Sequence, residues 1–509
     1  MSPTGRETGW IGDIGVWLGF VLTNSRHWAY DPPLFPGASS QAENPLNPVL
    51  HRRRHEVAAL LACALAVRLL AAFLVQSWVD RTPGRLCLVA GDAEGYWALA
   101  QSVAQRGEFS LYDPPRRVER MPGVPLWLAG GMRLFGERVV LHRLGFALIG
   151  TVACWLTYQL GRLLFDEPVG RLAGWMVAFS PPLCGISVLI LSETLFAVGL
   201  MGSLVLLAVV WRRLDERPGC CDLGLIVWGM ASGGMAGVAT LVRPTWLPFV
   251  PVYAVGLVVW NWLLGGPNTI CDVRDRSGGS AGASPSREIV FPRRESRAGD
   301  PTSGRTRRAL VAAIAMIGGL ILVMTPWVVR NLQVVGHPVV TTLWAGPSLY
   351  DGLNPHATGE SDMRFIEEDG IYQRMSEYDA DRHYRQAAVA FARENPRRVF
   401  ELGLVKLGRF WNPLPNADQF ASLPIRLALA AWSGPLFVLS AIGLWIHRRD
   451  LRLWVLAAGP VLFFAAVHAV FIGSVRYRLP AEYALVPLAA YTLRRLCGAT
   501  ATLSSNEEG

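Results

Sequence analysis

Charge is scarce in this chain. Only 17% of its 509 residues are Asp, Glu, Lys or Arg, against about 25% in a soluble domain. Lysine is nearly missing: Lys406 is the only one, so the net charge of +9 rests on arginine. Cysteine is sparse too, and its 8 residues lack any metal-ribbon spacing; apart from the adjacent Cys220 and Cys221 they stand singly in apolar stretches, as buried thiols do. No internal repeat is visible, and nothing at the N-terminus reads as a clean signal peptide, because Trp10–Leu22 is short and broken by Asp13. What is plentiful is apolar surface: 51% of residues are hydrophobic, and the mean hydropathy of +0.30 includes long polar tails and loops. The basic excess does not point to nucleic acid. The arginines flank apolar segments, where the positive-inside rule puts them on the cytoplasmic side of a membrane.

A membrane span needs about 20 apolar residues. The first is Val57–Val79, preceded by His51-Arg52-Arg53-Arg54-His55, which sets the N-terminus on the cytoplasmic side. Further spans are expected at about 139–164, 168–190 (interrupted by Pro181-Pro182), 194–211, 223–242, 245–264, 309–328, 424–446, 451–473 and 480–493. Residues 122–135 are too short to cross and read as a helix lying in the interface. With that segment left uncrossed, the arginine-rich loops near 212, 274–308 and 447 all fall inside; if it crossed, they would all invert. The fold class is therefore an all-α polytopic membrane protein. It divides into a poorly ordered tail over 1–55, a transmembrane module over 56–265 with an outer loop 80–138, and a polar, disordered loop over 266–308. A second transmembrane module follows over 309–496 with an outer loop 330–422, then a tail over 497–509.

The residues suited to chemistry fall on one side of this topology. The first outer loop opens with Gly91-Asp92-Ala93-Glu94-Gly95-Tyr96-Trp97 and closes with Glu119-Arg120 just before Pro122. Asp92 and Tyr96 share a helical face, and Asp92 also suits a helix N-cap. Glu193 begins a span, Arg243-Pro244 ends another, and Arg330, Arg476 and Arg478 follow spans on the same side. Guanidinium groups match the oxygens of a phosphate, and a carboxylate takes a hydroxyl proton as general base. Phosphate binding at headgroup depth suggests a lipid phosphate. The segment 341–360, with Trp344, Tyr350 and Asn354, is expected as a loop whose aromatic and amide groups suit a sugar; an ordinary surface loop is the alternative. Residues 378–394 read as a solvent-exposed helix.

In their order along the chain, the Asp-x-x-x-Tyr opening of the first loop, R-x-P-G-x-P at 120–125, L-S-E-T-L-F at 191–196, L-V-R-P at 241–244 and P-W-V-V-R-N at 326–331 resemble the GT-C membrane glycosyltransferases. The branch they resemble includes protein O-mannosyltransferases and lipid A aminoarabinose transferases, over residues 57–495. The resemblance implies a GT-C-like bundle of about 10–13 transmembrane helices whose outer first loop bears interfacial helices. It implies inverting transfer of a sugar from a polyprenyl-phosphate carrier, among the membrane lipids, to an acceptor protein, lipid or polysaccharide outside the cell membrane. It makes Asp92, Glu94 and Glu119 the catalytic acids, with Asp92 matching the base. Arg120, Arg243 and Arg330 become phosphate-binding residues and Glu193 a second acidic residue at the substrate; the placement of the residues themselves adds Arg476 and Arg478 for the phosphate and Tyr96, Trp344, Tyr350 and Asn354 for the substrate. Some relatives carry adjacent Asp-Glu where this chain has Gly91-Asp92-Ala93, which opens the division of labour between Asp92 and Glu94. The resemblance fixes no cofactor and leaves a divalent cation open, because related enzymes differ on metal use. A transporter or lipid flippase is the competing reading; it fits less well, since the polar residues gather at one interface instead of the midplane.

Overall fold

The structure, a computed structural model, describes residues 46–82, 85, 87, 89, 91–215, 223–263, 301–415 and 422–507. The chain divides into a first unit, Met1–Arg54, and a second, His55–Gly509, which carries everything discussed below except the start of α1. Most of the tail expected over 1–55 and of the loop expected over 266–308 lies outside the described residues, as do Cys220 and Cys221.

In chain order the helices of six residues or more are α1 (Leu46–Asp80), α2 (Asp92–Arg106), α3 (Gly123–Phe135), α4 (Val139–Leu164), α5 (Glu167–Ala178), α6 (Pro181–Ile186), α7 (Ser192–Asp215), α8 (Leu223–Val242), α9 (Phe249–Leu263) and α10 (Pro301–Val335). After them come α11 (Ala345–Gly352), α12 (Glu377–Glu394), α13 (Pro396–Trp411), α14 (Leu423–Ile446), α15 (Leu451–Val470) and α16 (Val475–Glu507). Among the described residues the only β pairing is an isolated bridge between Leu111 and Arg116. Seven helices (α1, α4, α7, α8, α10, α14 and α15) are long and apolar enough to cross a membrane. The protein is a multi-pass, all-α membrane protein.

Two segments differ from expectation. Residues 46–55 are helical, not a tail, because the apolar run from Val57 propagates a helix backward and Pro48 sits in its first turn, where proline is tolerated. Residues 301–308 are helical as well. Their arginines, read as part of a disordered loop, are held by neighbouring helix ends: Arg305 Nε donates to Asn261 Oδ1 at 2.8 Å and its guanidinium pairs with Asp215, while Arg308 Nη2 donates to the Arg213 carbonyl at 3.0 Å. More pairs gather at this basic end, including Arg494 with Asp166 and Arg171 with Glu56.

The middle crossing is broken where Pro181-Pro182 predicted. Ser180 caps α6 and Pro181 occupies its first turn. A break inside a membrane frees backbone carbonyls that must find donors within the protein. Arg68 Nη2 reaches the Val177 carbonyl at 3.3 Å, and Arg143 Nη1 reaches that of Val188 at 2.9 Å. Both arginines are buried and serve the break.

Helices α8 and α10 approach each other closely through small residues, as membrane helices pack. A Cβ on Gly233 would land on the Met316 carbonyl, and one on Gly319 on that of Met230. Gly233→Val is therefore expected to cost about 3 kcal/mol through overpacking. The midpoint of SDS-induced unfolding measures this, with Gly256→Ala, whose Cβ meets open space, as the reference. Equal midpoints for the two variants would refute this account of the packing.

Candidate active site at one end of the helix bundle

The end opposite the basic loops collects residues from five separate stretches of chain. α2 starts there, preceded by Gly91 at φ +79°, a conformation that glycine adopts freely. Gly91, not Asp92, occupies the N-cap position. The carboxylate of Asp92 is thus not spent on a cap. Its Oδ1 accepts from Arg120 Nη1 at 3.3 Å, and its Oδ2 lies 3.0 Å from Arg476 Nη1. Arg120 comes from the turn before α3, and its guanidinium lies across Gly95, where a Cβ would stand 2.7 Å from Nη2. It sits over the Tyr96 ring at 4.8 Å. Glycine at 95 and tyrosine at 96 together form its bed.

A second carboxylate shares the cluster. Glu193, in the first turn of α7, is fully buried; its Oε1 accepts from Arg476 Nε at 2.5 Å and from Arg243 Nη1 at 3.1 Å. Its Oε2 is buried with no hydrogen-bond partner. Arg243 follows α8 and lies over the Tyr477 ring at 4.8 Å. Arg476, in the first turn of α16, thus bridges Asp92 and Glu193. The electrostatics follow. Burial works against ionising Asp92, but Arg476 and Arg120 outweigh it and hold the carboxyl at about 2. Its side chain remains 41% exposed, so an incoming group can reach it.

Glu119 extends the network. Its Oε2 pairs with Arg116 Nη1 at 3.2 Å, and its Oε1 lies 3.7 Å from Arg120 Nε. Burial pushes its carboxyl above the usual range, although Arg120 and Arg116 pull the other way. Arg116 stacks on the Tyr372 ring at 3.8 Å. Glu377, at the start of α12, accepts from the backbone N–H groups of Arg117 and Val118 at 2.8 and 2.9 Å, pinning the first loop to α12.

Of the residues singled out in the sequence, Asp92, Tyr96, Glu119, Arg120, Glu193, Arg243 and Arg476 come together here. Glu94 does not. It is exposed, about 200° round the helix from Asp92, which favours Asp92 of the two acids. Arg330 donates to the carbonyls of Arg117 and Phe109 at 2.8 and 3.3 Å; it ties the first loop to α10 and is not placed beside the cluster's carboxylates. Arg478 is fully buried and consumed by Glu482 at 2.6 Å, Ser433 at 3.2 Å and the carbonyls of Phe410 and Asn412. Trp344 lies 5.9 Å from Arg116, next to the first loop. Tyr350 packs on Phe365 and Tyr384, and Asn354 donates to the Tyr350 carbonyl at 2.8 Å. Within the stretch read as a loop, Ala345–Gly352 form helix α11, and the residues on either side of it are turns and irregular backbone. Arg116, Tyr372 and Glu377 were missed by sequence reasoning. The Arg116-Arg117 pair beside Glu119 was a signal for the first; Glu377 is about 260 positions from its partners and gave none. Among the described residues no three His, Cys, Asp or Glu side chains gather as a metal ligand set; Asp92 and Glu193 face arginines.

Residues 119–265 match a family model described as dolichyl-phosphate-mannose-protein mannosyltransferase. No curated protein matches. Among solved structures, the apo oligosaccharyltransferase of Archaeoglobus fulgidus superposes with a TM-score of 0.50 at 13% identity, over 89% of this chain and 52% of that one. The same organism's AglB, in complex with an inhibitory peptide and a dolichol-phosphate, gives 0.48 at 13% identity, over 88% and 51%. ArnT from Cupriavidus metallidurans bound to undecaprenyl phosphate gives 0.36 at 16%, over 86% and 78%. The chain spans about half the length of the archaeal enzyme it matches. The family-model match takes in Glu119, Arg120, Glu193 and Arg243 and leaves Asp92 and Arg476 outside. In residues 119–265 and in its all-α fold, this chain is similar to the GT-C membrane glycosyltransferases.

Proposed function

We propose that this protein moves a sugar from a polyprenyl-phosphate carrier to an acceptor hydroxyl, with inversion, on the extracytoplasmic side of the cell membrane. The observation that carries the reading is the Asp92 carboxylate clasped by Arg120 and Arg476. The matched family model's description, which names a dolichyl-phosphate-linked sugar, supports the donor class. The arginine-rich loops at the opposite end of the bundle support the outward side.

The arrangement suits the chemistry. Arg120, Arg476 and Arg243 are cations already in place where a departing lipid phosphate needs them. Such preorganised stabilisation of developing charge is usually the largest catalytic contribution. In the free protein Asp92 and Glu193 neutralise them. A donor phosphate draws the guanidinium groups to its own oxygens and so loosens their hold on Asp92, whose basicity rises. Asp92 then takes the acceptor's hydroxyl proton as that oxygen bonds to the anomeric carbon. The bond from that carbon to the phosphate oxygen breaks, and the phosphate leaves with the electron pair as free polyprenyl phosphate. Glu119, joined to Arg116 and close to Arg120, orients the arginine.

Full-length protein in lipid nanodiscs, given a panel of polyprenyl-phosphate sugars and acceptors, is expected to release polyprenyl phosphate in step with glycosylated product. Transbilayer movement of a labelled glycolipid in vesicles, without any donor consumption, is the outcome that sinks this reading and leaves a transporter.

A further inference from the structure

Beside the cluster lies a cavity of about 380 Å³ that glycosyl transfer from a lipid donor does not by itself use. It falls in the usual size range of small-molecule sites, about 300–1,000 Å³. Its walls come from the first loop, the end of α10 and the start of α12. Arg116, Arg117, His337, Tyr372, Glu377 and Tyr378 supply its polar and aromatic lining.

These six side chains are unequally occupied. Glu377 is saturated by the backbone N–H groups of Arg117 and Val118, and Arg116 is paired with Glu119. Arg117 is exposed, and its guanidinium makes no ion pair among the described residues. Tyr372 is 2% exposed, and its hydroxyl has no hydrogen-bond partner. A buried hydroxyl left without a partner is costly, so a ligand that satisfies it binds the more tightly. His337 and Tyr378 stack face to face, 3.8 Å apart at 16°, so an outer ring face of the stack is what remains for the C–H face of a sugar ring. The free groups are thus a hydrogen-bonding hydroxyl and a cation, with no free carboxylate. That set prefers a ligand rich in oxygen acceptors and negative charge.

The cavity is also wired to the reaction site. Arg116 touches Glu119 at 3.2 Å, Glu119 lies 3.7 Å from Arg120, and Arg120 bonds Asp92 at 3.3 Å. We propose that this cavity is the acceptor subsite, and that the acceptor it takes is a saccharide bearing an anionic group, a uronate or a phosphate. The assignment rests on the glycosyl-transfer reading above. Arg117 holds the anion, Tyr372 a ring or hydroxyl oxygen, and the His337–Tyr378 platform one sugar face.

Binding is measured directly, without turnover, on the full-length protein in nanodiscs. The probes are an oligogalacturonide, a 6-phosphorylated maltotetraose, neutral maltotetraose and a neutral serine/threonine peptide. At least one anionic saccharide is expected to bind about tenfold tighter than the neutral one, as a charge-assisted hydrogen bond gives; which one does so tells uronate from phosphate. Arg117→Ala is expected to erase that preference. Tyr372→Phe is expected to weaken saccharide binding several-fold, with an unchanged unfolding midpoint showing that the fold is kept. Equal binding of neutral and anionic saccharides overturns the proposal. So does a preference that survives Arg117→Ala, or transfer to the peptide that the anionic saccharides do not inhibit. Donor release is followed separately. If the protein releases polyprenyl phosphate but binds no anionic saccharide, the subsite alone fails; if it binds the saccharide but never consumes a donor, the glycosyl-transfer reading fails and the acceptor role with it.

Discussion

Asp92→Asn is expected to lower transfer about 10³-fold, the central size of a general-base contribution. Asparagine keeps the shape and one acceptor oxygen for Arg120, but it cannot take a proton. It also stops competing with the donor phosphate for Arg120 and Arg476. The loss should therefore appear in kcat, with the donor KM unchanged or lowered. A variant that holds near-normal turnover in membranes removes Asp92 as the base. The pH profile adds a second check. With its carboxyl held at about 2, Asp92 in the free protein stays ionised throughout pH 4–9 and gives no acid limb there in kcat/KM. Glu119 is shifted upward, so an acid limb in kcat/KM belongs to it, and Glu119→Gln should abolish that limb. Once a donor phosphate has drawn the arginines away, the Asp92 pKa moves up. The acid limb of kcat should then include an Asp92 component that kcat/KM lacks, and coincident profiles in Glu119→Gln would contradict the charge exchange.

Glu193→Ala should be the most damaging change to the fold within the site, at about 3 kcal/mol. Its carboxylate is fully buried and is shared by Arg243 and Arg476, whose side chains are only 16% and 24% exposed. Removing it leaves two guanidinium groups facing each other across an emptied space. Their residual exposure puts the cost at the lower end of the range for breaking a buried pair. Glu193→Gln keeps one acceptor oxygen without the charge, so its cost should be intermediate. The shift in the SDS-unfolding midpoint reads both. A Glu193→Ala midpoint equal to that of the unmodified protein would mean that the two arginines are satisfied elsewhere.

Much of this was legible in advance, for a physical reason. Asp92, Arg120, Glu193, Arg243 and Arg476 stand at the ends of apolar runs, and a charge at such a place is conspicuous against hydrocarbon. The alternation of arginine-rich loops then put all five at the same end. Periodicity says nothing about which charges there meet. Arg478 looked equivalent to Arg476, two residues away, yet a step of two on a helix turns the side chain about 200°, into the bundle and onto Glu482. The i, i+4 spacing of that pair was readable in the sequence. Asp92 suited a cap on local grounds, and only the positions of Arg120 and Arg476 from elsewhere in the chain distinguish the roles. The polar layer at this end, with Glu377 clamping the first loop, depends on contacts across about 260 residues and left no pattern to read.

One of the two arginines that serve the broken crossing has a consequence for how the protein is made. Arg68 lies in α1, and the distant carbonyl it serves, on Val177, is synthesised 109 residues later. At about 5–20 residues per second, several seconds pass before that partner exists. Through that interval α1 must stay in the bilayer with a cation that costs about 2.5–3.5 kcal/mol on insertion scales, offset by the rest of its apolar length. α1 therefore enters the membrane incomplete, and nascent chains that stop short of Val177 carry a guanidinium held only by its own helix, at the Ala64 carbonyl.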